Sequence, residues 1–328
     1  MKINKKAALH NLGCKVNAYE TEAMQQILEN AGYEIVPFTE YADVYVVNTC
    51  SVTNMADRKS RQMLHKAKKM NPDAIVVGAG CYVQTKEAEA LLDDTVDIVI
   101  GNNKKHELLA MLEAYENDHG KCGNVIDINH EKQEYEEMFL ERTAEHTRAF
   151  IKVQDGCNQF CSYCIIPFAR GRVRSRNSED VIREVKRLAE HGFREIVLTG
   201  IHLSSYGVDT GDNLLHLIRE VHKVLPDTAI WLGGPEVSYD ARKVLEEHPE
   251  VTGVMKGEGE VTFLELAGFY LEGISELAKI EGITYRDGDQ IQENPWRGIT
   301  DLSTIPFVYK DLKKFENRII YYESSRGC

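Results

Sequence analysis

The chain has 328 residues, of which 43% are hydrophobic and 28% charged, and its formal net charge is −13 at pH 7. A chain of this size and composition can bury a large core and is expected to form two or more domains, which excludes a disordered protein. The acidic balance argues against a uniformly basic nucleic-acid binder. No apolar run approaches the roughly 20 residues that span a bilayer, and the amino terminus lacks a secretory signal. We therefore expect a cytoplasmic protein without a membrane partner.

Three short apolar runs of strand character each end in a cysteine and precede a helix-like segment. They are AALHNLGC, VYVVNTC and AIVVGAGC, which end in Cys14, Cys50 and Cys81. Their spacing suits successive βαβ units, and VDIVIGNN (96–103) resembles a fourth strand. Because parallel strands end at one edge of a sheet, the three thiols are expected to meet there as a ligand set. The alternative, an ordinary buried cysteine, fits any one of them alone.

Two charged runs stand out, one between Cys50 and Cys81 and one after Cys81. RKSRQMLHKAKK (58–69) has six Lys or Arg and no acid, and its simplest interpretation is a solvated helix face. EKQEYEEMFLERTAE (131–145) has six Glu and is interpreted as a solvated linker or surface helix.

A second cysteine group follows the strand-like AFIKVQ. Cys157, Cys161 and Cys164 have the spacing C-x3-C-x2-C, and the run CIIP that follows supplies no fourth cysteine. A structural zinc site normally has four protein ligands, and a ferredoxin run would continue to a fourth cysteine. Three thiolates on a 4Fe-4S cluster would leave one iron open to substrate. An incomplete zinc knuckle is the alternative.

The residues after this group predict the start of a parallel β/α barrel. SEDVIREVKRLAEHG has a helical apolar stripe, with Ser178 as the predicted N-cap and Gly192 at its end. REIVLTG is predicted to be the next strand. The reactive face of such a barrel lies at the carboxyl ends of its strands, next to the cysteine loop.

The C-x3-C-x2-C motif, with the aromatic Tyr163 before its last cysteine, resembles that of radical S-adenosylmethionine enzymes. The resemblance implies that S-adenosylmethionine binds the open iron near Tyr163 and is cleaved by one electron to a 5′-deoxyadenosyl radical. An electron donor such as flavodoxin or ferredoxin would be a partner.

Longer stretches resemble the methylthiotransferases within this superfamily. They are NLGCKVNAYETEAM, VVNTCSVTNMADRKSRQ, GAGCYVQ and IKVQDGCNQFCSYCIIPFARGRVRSR. Together with LTGIHLSSYG (198–207), they look most like the enzymes that modify N6-threonylcarbamoyladenosine at position 37 of tRNA. The resemblance implies that Cys14, Cys50 and Cys81 hold an auxiliary 4Fe-4S cluster. It also implies that one S-adenosylmethionine donates a methyl group and a second yields the radical that attacks adenine C2. A methylthiotransferase of ribosomal protein, or an inactive iron-sulfur protein that binds RNA, are the alternatives.

Four arginines follow the cysteine loop, and the tRNA anticodon loop would supply phosphates for them; a merely solvated loop is the alternative. They are Arg170, Arg172, Arg174 and Arg176.

The resemblance stops near residue 224. The next segment has two further βα units with the glycine-rich turns GGPE and KGEGE, and it resembles the latter half of a cobalamin-binding domain. The earlier half is missing, so intact cobalamin binding is not expected. The ending, at Cys328, resembles the start of a second radical motif. A truncated or chimeric form is therefore predicted, either from a gene fusion or from sequence assembly, in which the two clusters assemble but turnover is weak or absent.

The predicted fold class is α/β. A doubly wound parallel sheet precedes an incomplete radical S-adenosylmethionine (β/α) barrel, which is continued by βα units of cobalamin-binding type. The predicted domains are an auxiliary-cluster domain (1–125), an acidic linker (126–147), the first part of the barrel (148–224), the cobalamin-binding-like units (225–275) and a tail (276–328).

Overall fold

The computed structural model describes residues 5–131, 133–140 and 148–304. The chain divides into two compact units, one that ends at Leu225 and one that begins at Pro226. Cys328 and the end of the predicted tail lie outside the described residues. No helix among the residues described is long and apolar enough to cross a membrane.

The first unit begins with a parallel sheet of six strands in the order β2-β1-β3-β4-β5-β6. The strands are β1 (Lys6–Asn11), β2 (Glu34–Ile35), β3 (Val44–Thr49), β4 (Ile75–Gly80), β5 (Ile98–Ile100) and β6 (Cys122–Asn124). The helices between them are α1 (Lys15–Asn30), α2 (Asn54–Met70), α3 (Cys81–Thr85), α4 (Glu87–Leu92) and α5 (Leu108–Asp118). Every residue of β3 is buried, as expected for a strand with both faces covered.

Two apolar cores lie on the two faces of this sheet. Met24 and Leu28 of α1 pack with Leu108 and Leu112 of α5 in one of them. Leu64 of α2 packs in the other core, with side chains from α3 and α4. Helices therefore cover both faces, and the predicted doubly wound α/β arrangement is confirmed.

The acidic segment 133–140 is not a solvated linker. Met138 and Leu140 are buried and belong to the core that contains α1 and α5. Glu136 is also buried, and its carboxylate accepts hydrogen bonds from the backbone N–H and the ring of His106, both at 2.9 Å. The sequence prediction failed here because it counted the glutamates and overlooked the apolar residues between them.

The later part of the first unit contains two parallel strands, β7 (Arg148–Lys152) and β10 (Glu195–Thr199). The remaining elements are the antiparallel pair β8 (Gln154–Asp155) and β9 (Arg174–Ser175), and the helices α6 (Ile166–Arg170), α7 (Ser178–Glu190) and α8 (Leu214–Val224). Helix α7 forms where predicted, but its N-cap is Asn177 rather than Ser178. The side chain of Asn177 accepts a hydrogen bond from the N–H of Glu179 at 2.8 Å.

The second unit has a four-stranded sheet in the order β11-β12-β13-β14. Its elements are β11 (Trp231–Gly233), α9 (Pro235–Ser238), α10 (Ala241–Glu247), β12 (Gly253–Met255), α11 (Gly259–Glu272), β13 (Ile283–Asp287) and β14 (Gln290–Glu293). Strands β11 and β12 are parallel and each precedes a helix, as the two predicted βα units require. Strands β13 and β14 continue the sheet as an antiparallel hairpin.

Candidate iron-sulfur centre and its buried charge network

Three cysteines lie at the carboxyl edge of the six-stranded sheet. Cys14 and Cys50 come just after β1 and β3, and Cys81 is the first residue of α3, directly after β4. The loop at Gly13 has a φ of +112°, and a Cβ at Gly13 would lie 3.0 Å from the Cys50 Sγ. This close approach brings the Cys14 loop against Cys50, where a side chain larger than hydrogen would collide.

The thiols of this edge influence one another. Burial raises the pKa of the Cys50 thiol, and the nearby thiols of Cys81 and Cys14 raise it further. Cys50 and Cys81 are buried, whereas Cys14 is exposed. Soft thiolates are the ligands that iron-sulfur clusters take, so the donor set fits a cluster approached from the Cys14 side.

The described residues include no group of three or more His, Cys, Asp and Glu side chains that could hold a metal ion. The assignment of Cys14, Cys50 and Cys81 to a cluster therefore stays a prediction.

The second cysteine group lies in the loop between β8 and α6. Cys157 and Cys164 are half-buried and Cys161 is exposed. The N–H of Cys157 donates to the carbonyl of Gly171 at 3.0 Å, and the N–H of Cys164 donates to that of Cys161 at 2.9 Å. Tyr163 is 91% exposed, so its ring is accessible to a ligand at this loop.

Gly156 fixes the start of this loop. Its φ is +73°, and a Cβ there would lie 1.9 Å from the carbonyl oxygen of Arg172. The chain can therefore pass beneath the segment after α6 only with glycine at this position.

The four arginines after the cysteine loop differ in their environments, which corrects the expectation that all of them contact phosphate. Arg170, Arg174 and Arg176 are buried, and each is held by acidic groups or backbone carbonyls of the chain. Arg172 alone of the four is exposed, and its guanidinium lies 4.2 Å from the centre of the Phe160 ring. Phosphate contact therefore remains a proposal for Arg172 only.

Arg170 occupies the centre of a fully buried charge network. Its Nη1 donates to Asp155 Oδ1 at 2.9 Å and to Glu20 Oε1 at 3.1 Å. Glu20 also accepts from Lys105 Nζ at 2.8 Å and from Lys152 Nζ at 3.0 Å. These residues come from α1, β7, β8, α6 and the turn before α5, so the network joins the sheet domain to the barrel segment within one unit.

The ionised forms in this network support one another. Burial alone would raise the pKa of Glu20, but Arg170, Lys105 and Lys152 outweigh burial and hold that pKa well below its usual range. Burial opposes the charge of Lys152, yet Glu20 and Asp155 raise its pKa above the usual value. Glu20 and Lys152 are therefore both charged at neutral pH.

A second buried network surrounds Arg176. The guanidinium bonds to the carboxylate of Glu184 on α7 and donates to the carbonyl of Met138 at 3.2 Å. Glu184 also accepts from the N–H of Leu140 at 2.9 Å. Burial raises the pKa of Glu184, although Arg176 opposes the rise. This network fixes the segment 133–140 between α1 and α7.

Sequence reasoning did not identify Glu20, Lys105, Lys152 or Asp155. Lys152 offered one signal, because it is a charged residue inside the apolar run AFIKVQ, and buried lysine needs a partner. Glu20 and Lys105 offered none, since charged residues are ordinary on helices and in turns.

Two family profiles match the chain. The profile described as uncharacterized protein family UPF0004 matches residues 6–101, and that of the radical SAM superfamily matches residues 151–281. The second match continues past Leu225 into the region predicted to be of cobalamin-binding type, and that assignment stays a prediction.

Curated relatives match about two thirds of this chain. The threonylcarbamoyladenosine tRNA methylthiotransferases MtaB of Bacillus subtilis (strain 168) and Aquifex aeolicus (strain VF5) are both 46% identical, over 215 and 219 residues. These matches cover 65% and 67% of this chain, and 48% and 53% of the relatives. A tRNA-2-methylthio-N(6)-dimethylallyladenosine synthase from Moorella thermoacetica is 34% identical over 68% of this chain and 52% of its own. The chain thus spans about half the length of the curated relatives it matches.

Among solved structures, the radical S-adenosylmethionine methyltransferase TsrM from Kitasatospora setae aligns with 70% of this chain and 54% of its own. The TM-score is 0.48 at 16% identity, a likeness too weak to bear on function. The two profiles and the curated relatives agree with the cysteine pattern, and the chain belongs to the radical S-adenosylmethionine methylthiotransferase family.

Proposed function

We propose that this chain contributes to the methylthiolation of C2 of N6-threonylcarbamoyladenosine at position 37 of tRNA. The observation that supports the proposal is the placement of Cys14, Cys50 and Cys81 after three strands at one sheet edge, in the same unit as the C-x3-C-x2-C loop. The two relatives at 46% identity both have the threonylcarbamoyladenosine name, whereas the dimethylallyladenosine relative is 34% identical.

In this proposal the chain holds two 4Fe-4S clusters. Cys14, Cys50 and Cys81 bind the auxiliary cluster, and Cys157, Cys161 and Cys164 bind the radical cluster together with S-adenosylmethionine near Tyr163. When bound, these groups supply sulfur, a methyl group and the one-electron chemistry that an unactivated aromatic C–H bond requires. The contribution of the chain itself is to position the two cysteine loops and the nucleotide.

The proposed partners are the tRNA anticodon loop and an electron donor such as flavodoxin or ferredoxin, in the cytoplasm. Arg172 is the loop residue proposed to contact tRNA phosphate, because it is exposed beside the cysteine loop while its three neighbours in the motif are engaged inside the protein. The ring of Phe160 lies beneath the Arg172 guanidinium, 4.2 Å from ring centre to guanidinium carbon, and supports the arginine beside the cysteine loop.

The test begins with anaerobic reconstitution of the purified chain with iron and sulfide. We expect about eight irons per chain, since each 4Fe-4S cluster contains four. Replacing Cys14, Cys50 and Cys81 together by Ala should remove about half of the iron and leave cleavage of S-adenosylmethionine intact. Cys122→Ala is the matched control and should retain all of the iron.

The activity test uses tRNA that lacks the methylthio group, with a reductant and S-adenosylmethionine. Mass spectrometry of the digested nucleosides should detect more of the 2-methylthio product with the wild-type chain than with the triple variant, even at low turnover. Two assembled clusters without cleavage of S-adenosylmethionine would contradict the proposal and favour an inactive iron-sulfur protein. Product found only on ribosomes would contradict the tRNA assignment.

A further inference from the structure

The carboxyl end of α6 is connected by hydrogen bonds to the segments that carry Cys14, Cys50 and Cys81. Arg170 Nη2 donates to Asn17 Oδ1, and Asn17 Nδ2 in turn donates to the carbonyls of Leu12 at 2.7 Å and Thr49 at 3.0 Å. Leu12 and Thr49 lie just before Cys14 and Cys50. A single arginine is therefore connected, through one amide, to the backbone of both cysteine loops.

The third cysteine is reached from the same turn of α6. Asn102 Nδ2 donates to the carbonyl of Ala169 at 2.7 Å and lies 3.4 Å from Cys81 Sγ. Lys105 Nζ holds the oxygen of this amide at 2.6 Å. Ala169 and Arg170 follow Cys164 in the same loop-and-helix segment, so this turn connects the radical-cluster loop to all three auxiliary cysteines.

The charges around this connection do not cancel. Arg170, Lys105 and Lys152 oppose Glu20 and Asp155, all fully or almost fully buried. A fourth cation, Arg174, lies 3.6 Å from Asp155, and a third buried carboxylate, Glu136, interacts with Lys152 and Lys105. Either count, which leaves out the half-exposed His106 beside Glu136, leaves one positive charge in excess.

This excess lies close to the cysteine site. Burial opposes the charge of Arg170, but Asp155 and Glu20 raise its pKa well above the usual value, and the thiols of Cys81 and Cys14 contribute to the rise. Charges act strongly on one another in a dry interior. The potential of an iron-sulfur cluster depends on the charge and hydrogen bonds around it, and a buried cation favours the reduced, more negative state.

We propose that Arg170 is a positioning residue that holds the auxiliary-cysteine loops against the radical-cluster loop and raises the reduction potential of the cluster bound by Cys14, Cys50 and Cys81. This inference rests on the proposed function, because it requires that these cysteines hold a cluster. It names one residue of the network whose charge can be removed, so the effect can be measured without turnover.

The chain should survive replacement of Arg170. In Arg170→Gln, Glu20 keeps Lys105 and Lys152, and Asp155 keeps Lys152 at 3.4 Å, so neither carboxylate is left without a cation. The matched control is Arg172→Gln, which removes the same charge two residues away from an exposed side chain. Solvent screens that charge, so the control should leave the potential unchanged.

The experiment uses the full chain with Cys157, Cys161 and Cys164 replaced by Ala, so that only the auxiliary cluster gives an electron paramagnetic resonance signal. A redox titration of this signal gives the midpoint potential. For Arg170→Gln we expect equal iron content and a reduced-to-oxidised ratio at least about tenfold lower at fixed potential, a downward shift of about 59 mV for one electron. Arg170→Lys keeps the positive charge, so its midpoint potential should lie close to that of the chain with Arg170.

Glu20→Gln should change the midpoint potential in the opposite direction, and it tests the effect of the buried charge even if Arg170→Gln fails to fold. It removes a buried negative charge from the same network, so the midpoint potential should rise. A potential in Arg170→Gln equal to that of Arg172→Gln, or an unchanged or lower potential in Glu20→Gln, would overturn the inference. Absence of iron from the parent chain would instead overturn the proposed auxiliary site.

Discussion

The guanidinium of Arg176 and the carboxylate of Glu184 form an ion pair from which solvent is completely excluded. Desolvation makes such a pair costly to form, but removal of Glu184 leaves Arg176 with only the partly exposed Glu137, at 3.0 Å, as a charged partner. Glu184 also accepts the backbone N–H of Leu140, so the pair fixes the acidic segment as well.

We predict that Glu184→Ala destabilises the first unit by about 3–5 kcal/mol. The measurement is urea denaturation followed by circular dichroism. Asp180→Ala on the same helix is the control, because its bridge to Arg183 is partly exposed and contributes about 0–1 kcal/mol. Equal losses in the two variants would show that burial of the Arg176 pair is not what matters.

Leu140 tests whether the acidic segment is part of the core. It is fully buried, so Leu140→Ala should lower the free energy of unfolding by about 2–5 kcal/mol. Glu134→Ala, in the same segment but exposed, should change it by less than about 0.5 kcal/mol. A Leu140→Ala variant as stable as the control would return the segment to the status of a solvated linker.

Gly156→Ala should prevent the radical-cluster loop from closing, because the added Cβ would overlap the Arg172 carbonyl. We expect the reconstituted variant to lose roughly half of its iron, since each cluster contains four. Gly192→Ala is the control: its φ is also positive, at +87°, but no atom lies within 4 Å of the added Cβ. Full iron content in Gly156→Ala would contradict the prediction.

His106 gives the first unit a pH dependence. The hydrogen bond to Glu136 raises the pKa of His106 above its usual value, although burial opposes the rise. A raised folded-state pKa stabilises the protein fully below the unfolded value of about 6.5, and the stabilisation is lost as pH rises through the folded value. The stability lost in His106→Gln should therefore be larger at pH 5.5 than at pH 9. The difference is expected to be about 1 kcal/mol or less, because the ring is half exposed.

Denaturation midpoints of wild type and His106→Gln across this pH range make the measurement. A deficit that grows with pH would have the wrong sign and would remove Glu136 as the partner of a protonated His106.

Arg172→Gln should weaken tRNA binding by the amount of one phosphate contact. The dependence of log affinity on log salt should become shallower by about 1, because one fewer counterion is released. Filter binding or anisotropy at several salt concentrations measures the slope. The control is Arg183→Gln, an exposed arginine on α7 outside the cysteine loop. An unchanged slope in Arg172→Gln would exclude the contact.

The sequence by itself determined the parallel sheet and the placement of the cysteines. Strand runs such as VYVVNT alternate with helix-like segments at βαβ spacing, and each strand end carries its cysteine to the same edge. These features are local or periodic, so a single chain pattern is enough to predict them.

Only the tertiary structure decided which of the charged residues are buried and which are exposed. In the alternating motif from Arg170 to Arg176, nothing local distinguishes the exposed Arg172 from its buried neighbours. The difference arises because Glu20 lies 150 residues from Arg170, and the fold carries its carboxylate to that arginine. Burial of a charge depends on partners that distant segments supply, and no local period encodes that pairing.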